Sequence, residues 1–151
     1  LVLSTLHTND APSAMTRLVD MGIEPYLVSS SVTLVVAQRL VRKICEHCKC
    51  EDTSAEEIKK ELGVQPDTPV FKGLGCSACG YTGYKGRTGI FEVMPISDTI
   101  RRLINDKAFA AEIRKQALKE GMVALRDDAV ATLLDGATSV EEVVREISLI
   151  A

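Results

Sequence analysis

Four of the five cysteines in this 151-residue sequence fall into two Cys-x-x-Cys pairs, Cys45/Cys48 in "ICEHCKC" and Cys76/Cys79 in "GCSACG". A pair at that spacing can wrap one edge of a tetrahedral ion, because two intervening residues let both thiolates point inward while local backbone N–H groups bond to the sulfurs. Two such pairs suit one shared metal. The stretch between them is longer than the usual ribbon spacing, and a helix-patterned insertion after Ser54 accounts for the excess. Zn2+ is the expected ion, although four thiolates also hold iron. Four protein ligands leave no open position for water or substrate, so the role would be structural. His47 and Cys50 could substitute for a ligand; both are expected outside the ligand set, Cys50 as a partly exposed thiol.

Two other chemistries compete for these cysteines. One Cys-x-x-Cys can be a dithiol redox centre, and a lone Cys is most often a small buried hydrophobe. Here both pairs sit among Gly, Lys and Glu rather than on an apolar stripe, and neither opens a helix of a thioredoxin-like unit. An odd cysteine count with two such pairs fits a reducing compartment and a metal better than a disulfide framework.

The elements that must position these residues can be read from periodicity. "LVLSTLHT" (1–8) has the composition of a buried strand that breaks at "HTND". Asn9 or Asp10 can cap a following helix with Pro12 in its first turn, Met15, Leu18 and Val19 on one face, and Gly22 just past its end. A second helix is expected from Pro25, with Val28, Val32 and Val35 or Val36 on one side, although the β-branched "SVTLVV" also suits a strand. "QRLVRKIC" (38–45) alternates and leads as a short strand into the first cysteine pair.

Within "TSAEEIKKELG" (53–63), Ser54 and Glu57 form a capping-box pattern ahead of Gly63, which predicts a short solvated helix. The segment "GYTGYKGRTGIFEVMPI" places glycines three apart and then turns strand-like, which predicts a hairpin feeding a strand. Tyr81 and Tyr84 are expected to pack over the metal loop. From Ser97 onward the apolar spacing is helical, with Gly121 and Gly136 as stops and a second capping-box pattern at Ser139 and Glu142. A small helical bundle is the expected close. Arg39, Arg42, Lys43, Lys85 and Arg87 are expected as ordinary solvated charge, or facing a neighbouring subunit's nucleotide or an acidic partner. Asp127 and Asp128 suit a helix start.

Bulk properties narrow the function. At 46% hydrophobic the chain can bury one ordinary core or two small ones. A formal charge of −3 gives no overall attraction to phosphate backbones, which argues against nucleic acid. No apolar run approaches the roughly 18–20 residues needed to span a bilayer. Residue 1 is not Met and no leader pattern precedes the first apolar run, so the chain is expected to begin inside a larger protein.

At "STLHTNDA" (4–11), "QRLVRKIC" (38–45) and above all "GCSACGYTGYKGRTGIFEVMPI" (75–96), the sequence resembles the hexameric ATPases of type II secretion and type IV pilus assembly, the GspE and PilB families. The likeness runs in order along the whole chain. It implies an α/β fragment: the C-terminal part of a RecA-like P-loop ATPase core at 1–44, a four-cysteine metal-binding subdomain and hairpin at 45–96, and a C-terminal helical domain at 97–151. "STLHTND" looks like the family's histidine box, which makes His7 a γ-phosphate contact supported by Thr5 and Thr8. The family's metal ligands map onto Cys45, Cys48, Cys76 and Cys79. Implied partners are a homo-hexamer of the full-length protein, an inner-membrane platform protein and a cytoplasmic anchor protein, at a cytoplasmic site peripheral to the inner membrane and without direct insertion.

One departure limits what this chain can do. Nothing in it matches G-x-x-x-x-G-K-[ST], the loop that cradles phosphates, so ATP and Mg2+ belong to the full-length protein only and the fragment alone is expected to be inactive. The competing functions are a free-standing structural zinc module for protein or nucleic-acid binding, and a redox protein using one Cys-x-x-Cys.

Overall fold

The structure is a computed structural model, and it describes residues 1–148. Contacts divide the chain into two units, one made of residues 1–38 with 91–125, the other of 39–90 with 126–151.

The first unit begins with eight residues of coil, not the buried strand that their composition predicts. A strand exists only where another strand pairs with it, and among the described residues none pairs with 1–8; Leu1, Val2 and Leu3 stand exposed. Helix α1 (Ala11–Asp20) follows as expected. Asp10 is its N-cap, accepting from Ser13 N–H at 2.7 Å, Pro12 sits in the first turn, and Gly22 takes the left-handed conformation (φ 89°) just beyond the end.

Helix α2 (Pro25–Ser31) stops earlier than its apolar spacing suggests, and the β-branched run after it enters strand β1 (Leu34–Ile44). Val32, Val35 and Val36 lose rotamer freedom against a helical turn but pack well on a pleated surface. Strand β4 (Tyr84–Pro95) pairs with β1. The bonds Ile96 N–H to Thr33 O (3.0 Å) and Cys45 N–H to Gly83 O (2.9 Å) fix the pairing as antiparallel. The expected hairpin inside "GYTGYKGRTGIFEVMPI" is therefore absent, because β4 finds its partner in β1 across the cysteine insertion.

Helices α4 (Asp98–Asn105, capped by Ser97) and α5 (Ala110–Lys119) complete the first unit. Its core is Ala11, Ala14, Met15, Val28, Met94, Ile96, Ile100, Ile104, Ile113, Ala117 and Met122. Burying each of the larger side chains is worth about 1.5–3 kcal/mol, so this cluster holds α1, α2, α4 and α5 together.

The second unit contains β2 (Lys49–Glu51), α3 (Glu56–Leu62), β3 (Phe71–Gly73), a 3-10 turn at Ser77–Cys79, α6 (Leu125–Leu134, but for its first residue) and α7 (Val140–Ser148). β2 and β3 pair antiparallel with Lys49 opposite Gly73 and Glu51 opposite Phe71. Gly63 ends α3 in the left-handed conformation as predicted, but Ser54 does not cap its start. Asp52 captures both the Ser54 N–H (3.1 Å) and its hydroxyl (2.6 Å), so Ser54 is held in a turn one residue too early.

Of the four C-terminal helices, α4 and α5 fall in the first unit, and α7 with nearly all of α6 in the second. The last three residues of the expected 97–151 helical domain lie outside the described residues. Among the described residues no helix is long and apolar enough to cross a membrane.

Candidate metal centre

The two cysteine pairs meet because the β2–β3 ladder ties their loops together. Cys45 follows the last residue of β1 and Cys48 closes a turn by donating its N–H to Cys45 O at 3.1 Å. On the other side Cys76 precedes the 3-10 turn that Cys79 ends, with Cys79 N–H to Cys76 O at 3.2 Å. Leu74 N–H to Cys48 O (3.0 Å) continues the ladder beyond Gly73 and joins the loops directly.

Glycines make this approach possible. A Cβ on Gly73 would lie 2.0 Å from Gly83 O, and one on Gly83 would lie 2.5 Å from Gly73 O. No side chain fits between these two backbones.

The result is a cluster in which all four sulfurs lie within 4.8 Å of one another. Cys45–Cys76 and Cys48–Cys79 are each 3.9 Å apart, and Cys76–Cys79 is 3.8 Å. A tetrahedron with zinc–sulfur bonds of about 2.3 Å has edges of about 3.8 Å, which the three separations just given match. A disulfide needs about 2.05 Å, and all five cysteines are free thiols.

The backbone supplies the usual support for thiolates. Gly75 N–H points at Cys48 Sγ (3.3 Å), and Cys79 Sγ accepts from Cys76 N–H (3.2 Å) and Gly83 N–H (3.3 Å). The N–H bonds from Cys76 and then Gly83 draw the Cys79 thiol down to about 6, whereas burial pushes Cys48 up to about 12. Four thiolates at this spacing would repel one another, and a divalent cation removes that repulsion. His47 is exposed and Cys50 half-buried on β2; neither belongs to the cluster.

Two buried carboxylates carry more structure than the sequence reading gave them. Glu92 is fully buried; its Oε1 accepts from Ala11 N–H (2.8 Å) and its Oε2 from Leu125 N–H (3.3 Å), the residues that open α1 and α6. An anion at two helix N-termini is well placed. The signal was present, since Ile90, Glu92 and Met94 share the inward face of β4 and a charge on such a face needs a partner. Asp10, the cap of α1, also pairs with Arg114.

Glu142 is likewise fully buried. Its carboxylate accepts from Arg42 N–H (3.1 Å) and Nε (2.8 Å) and pairs with the Arg145 guanidinium (2.6 Å). Burial alone would raise this carboxyl, but the Arg42 bonds outweigh it and hold the group below the usual range. Only half of the expected capping box forms: Ser139 Oγ accepts from Glu142 N–H at 3.3 Å, while the Glu142 carboxylate goes to the arginines. Arg42 is thus not plain solvated charge. It stacks over Tyr84 at 4.1 Å, and the Tyr84 hydroxyl bonds Ser139 Oγ at 2.6 Å, so Tyr84 packs toward α7 and not over the metal loop. Tyr81 is exposed. Asp127 and Asp128 lie in the first turn of α6 as expected.

Thr5, His7 and Thr8 lie in the initial coil. Thr5 and His7 are exposed, and Thr8 donates its hydroxyl to Asp10 O at 3.2 Å.

Comparison with known proteins agrees with these motifs. Residues 1–145 match the family described as "Type II/IV secretion system protein". The chain is 45% identical over 149 residues to the type IV pilus assembly ATPase PilB of Myxococcus xanthus, covering 95% of this chain and 26% of that protein. It is 49% identical over 148 residues to the type II secretion system protein E of Pseudomonas aeruginosa, covering 96% and 29%. With the type II secretion system protein HxcR of the same organism it shares 45% identity over 145 residues, covering 96% and 28%. The chain thus spans little more than a quarter of the length of these relatives.

Proposed function

Because the chain belongs to the type II/IV secretion system protein family, we propose that it is the C-terminal part of a hexameric, RecA-like ATPase that powers type II protein secretion or type IV pilus assembly. The observation that supports this reading best is a likeness of 45–49% identity, spread over nearly all of the chain, to proteins that include a named pilus assembly ATPase.

The four-cysteine cluster holds a structural Zn2+ in this reading, through Cys45, Cys48, Cys76 and Cys79. The ion supplies charge neutralisation and a cross-link between two loops, and no chemistry on substrate. The residues of this chain do the rest: Gly75, Cys76 and Gly83 direct their N–H groups at the sulfurs, and Gly73 and Gly83 let the loops close.

ATP and Mg2+ bind elsewhere in the complete protein, where His7 contacts the γ-phosphate and Thr5 and Thr8 support it. An imidazole there can hydrogen-bond a phosphate oxygen as charge develops. Homo-hexamer formation, an inner-membrane platform protein and a cytoplasmic anchor protein complete the assembly, placing the chain on the cytoplasmic side of the inner membrane.

Two measurements test this. Elemental analysis should find one zinc per chain, with about one reactive thiol rising to five after a strong chelator; no metal and five thiols titrating at once would refute the metal assignment. In the complete protein, His7→Ala should lower ATP turnover tenfold or more, about 1.4 kcal/mol of barrier, and unchanged kcat would remove His7 from the site.

A further inference from the structure

Tyr81 follows the turn that carries Cys76 and Cys79, with its backbone in the left-handed region (φ 63°), where a residue with a side chain is disfavoured and glycine is not. Its ring gains nothing from the fold in return. It is 78% exposed, with no hydrogen bond from its hydroxyl and no ring contact among the described residues, whereas Tyr84 three residues on has both. Leu74, beside the same crossing, is 72% exposed. The backbones at Gly75 and Tyr81 are so close that a Cβ on Gly75 would lie 2.7 Å from Tyr81 O. Two large side chains are therefore held in water on a loop whose backbone is closely crossed at Gly73–Gly83 and Gly75–Tyr81.

The segment that carries them is one-sided in charge. From Lys72 to Phe91 the sequence has no acidic residue, in a chain whose net charge is −3. Extending the Cys45–Gly83 pairing two residues along each strand puts Lys43 and Lys85 at facing positions; both are exposed and, among the described residues, neither is in an ion pair. Like charges directly opposite across a strand pair cost stability. An anionic surface laid over them removes that cost, and Tyr is among the residue types enriched as buried anchors of interfaces.

We propose that Tyr81 and Leu74 are the anchor of a protein docking surface whose partner is an acidic protein segment with an apolar pocket, Lys43 and Lys85 supplying the flanking attraction. A rigid knob of two side chains suits a pocket in a protein, whereas a bilayer is held by a broad apolar face or a lipid chain. The knob sits on the loop to which the metal reading above assigns an ion, while its own geometry comes from the Gly73–Gly83 and Gly75–Tyr81 crossings.

The experiment is site-specific photocrosslinking in cells expressing the complete protein, with a benzoylphenylalanine at position 81 and adducts identified by peptide mass spectrometry. The expected result is an adduct on one protein, within a peptide where Asp and Glu outnumber Lys and Arg, reduced at least tenfold by Lys43→Glu with Lys85→Glu. With the crosslinker at position 74 instead, Tyr81→Gly should lower the yield as strongly, although glycine relieves the left-handed backbone and leaves the metal and the thermal midpoint intact or improved. A Tyr81 that only supported the loop would lose the metal on that change. No adduct, an adduct on lipid, nucleic acid or a peptide without acidic excess, or a yield indifferent to the lysine changes overturns the proposal; Lys85→Gln replaces the reversal if that displaces the metal. Metal content measured on each sample keeps the two readings apart. A metal-free protein that still gives the acidic adduct refutes the zinc assignment and leaves the docking surface standing.

Discussion

Replacing Glu92 with Gln tests whether one buried carboxylate organises the first unit. Both oxygens of Glu92 accept from backbone N–H groups, Ala11 at 2.8 Å and Leu125 at 3.3 Å, and no part of the side chain reaches water. Glutamine keeps one acceptor but presents its NH2 group to the other N–H, donor against donor. The change forfeits one charge-assisted bond, worth about 1.5–3 kcal/mol, and leaves a buried N–H unsatisfied at about 1–3 kcal/mol, terms that overlap in part. Loss of the negative charge at two helix N-termini adds roughly 0.3–1 kcal/mol for each. A net destabilisation of about 3 kcal/mol is expected for E92Q, and a larger one for Glu92→Leu, which orphans both donors. The assay is denaturant unfolding followed by circular dichroism with metal saturating, so that the second unit is held constant, comparing midpoints at unchanged m. A shift under about 0.5 kcal/mol for E92Q would show that water or a shifted backbone satisfies both N–H groups, and the capping role would fall.

The remaining predictions concern the second unit. Gly73→Ala leaves every ligand in place, yet its Cβ would meet Gly83 O at 2.0 Å, so elemental analysis should find the metal lost or weakly held; full retention would mean that the loop crossing tolerates a side chain. Glu142 has a lowered pKa in the folded state, so its stabilisation is complete above the unfolded carboxyl value of about 4.3 and is lost as pH falls through the folded value. Denaturation between about pH 5 and 2 should therefore be steeper for the parent than for Glu142→Gln, and parallel curves would exclude the Arg42 pairing as its cause.

Much of this was legible in the sequence wherever the signal is local. The cysteine spacing, the Asp10 cap, the left-handed glycines 22 and 63 and the starts of α4, α6 and α7 depend on a few neighbouring residues, and the structure keeps them. What failed depends on partners far along the chain. Residues 1–8 have strand composition, but composition supplies no ladder. β4 has hairpin-like glycines, but its partner is the distant β1. Arg42 resembles surface charge until Glu142, a hundred positions later, is placed beside it. Ser54 lost its cap to a competing local bond with Asp52, a contest between two short-range motifs that periodicity cannot judge.

Strands β1 and β4 each pass from one unit into the other, at Gln38–Arg39 and at Ile90–Phe91. During synthesis, α1, α2 and the first half of β1 therefore emerge from the ribosome well before Met94, Ile96 and Ile100, against which they must pack. Residues 39–90, with both cysteine pairs, come out in between, a delay of roughly 3–10 s at about 5–20 residues per second. On the zinc reading proposed above, the ion can be captured while the first core is still half made, and the nascent apolar segment stays open to chaperones until β4 arrives. A zinc-starved cell would then show its defect first as proteolysis of the newly made chain.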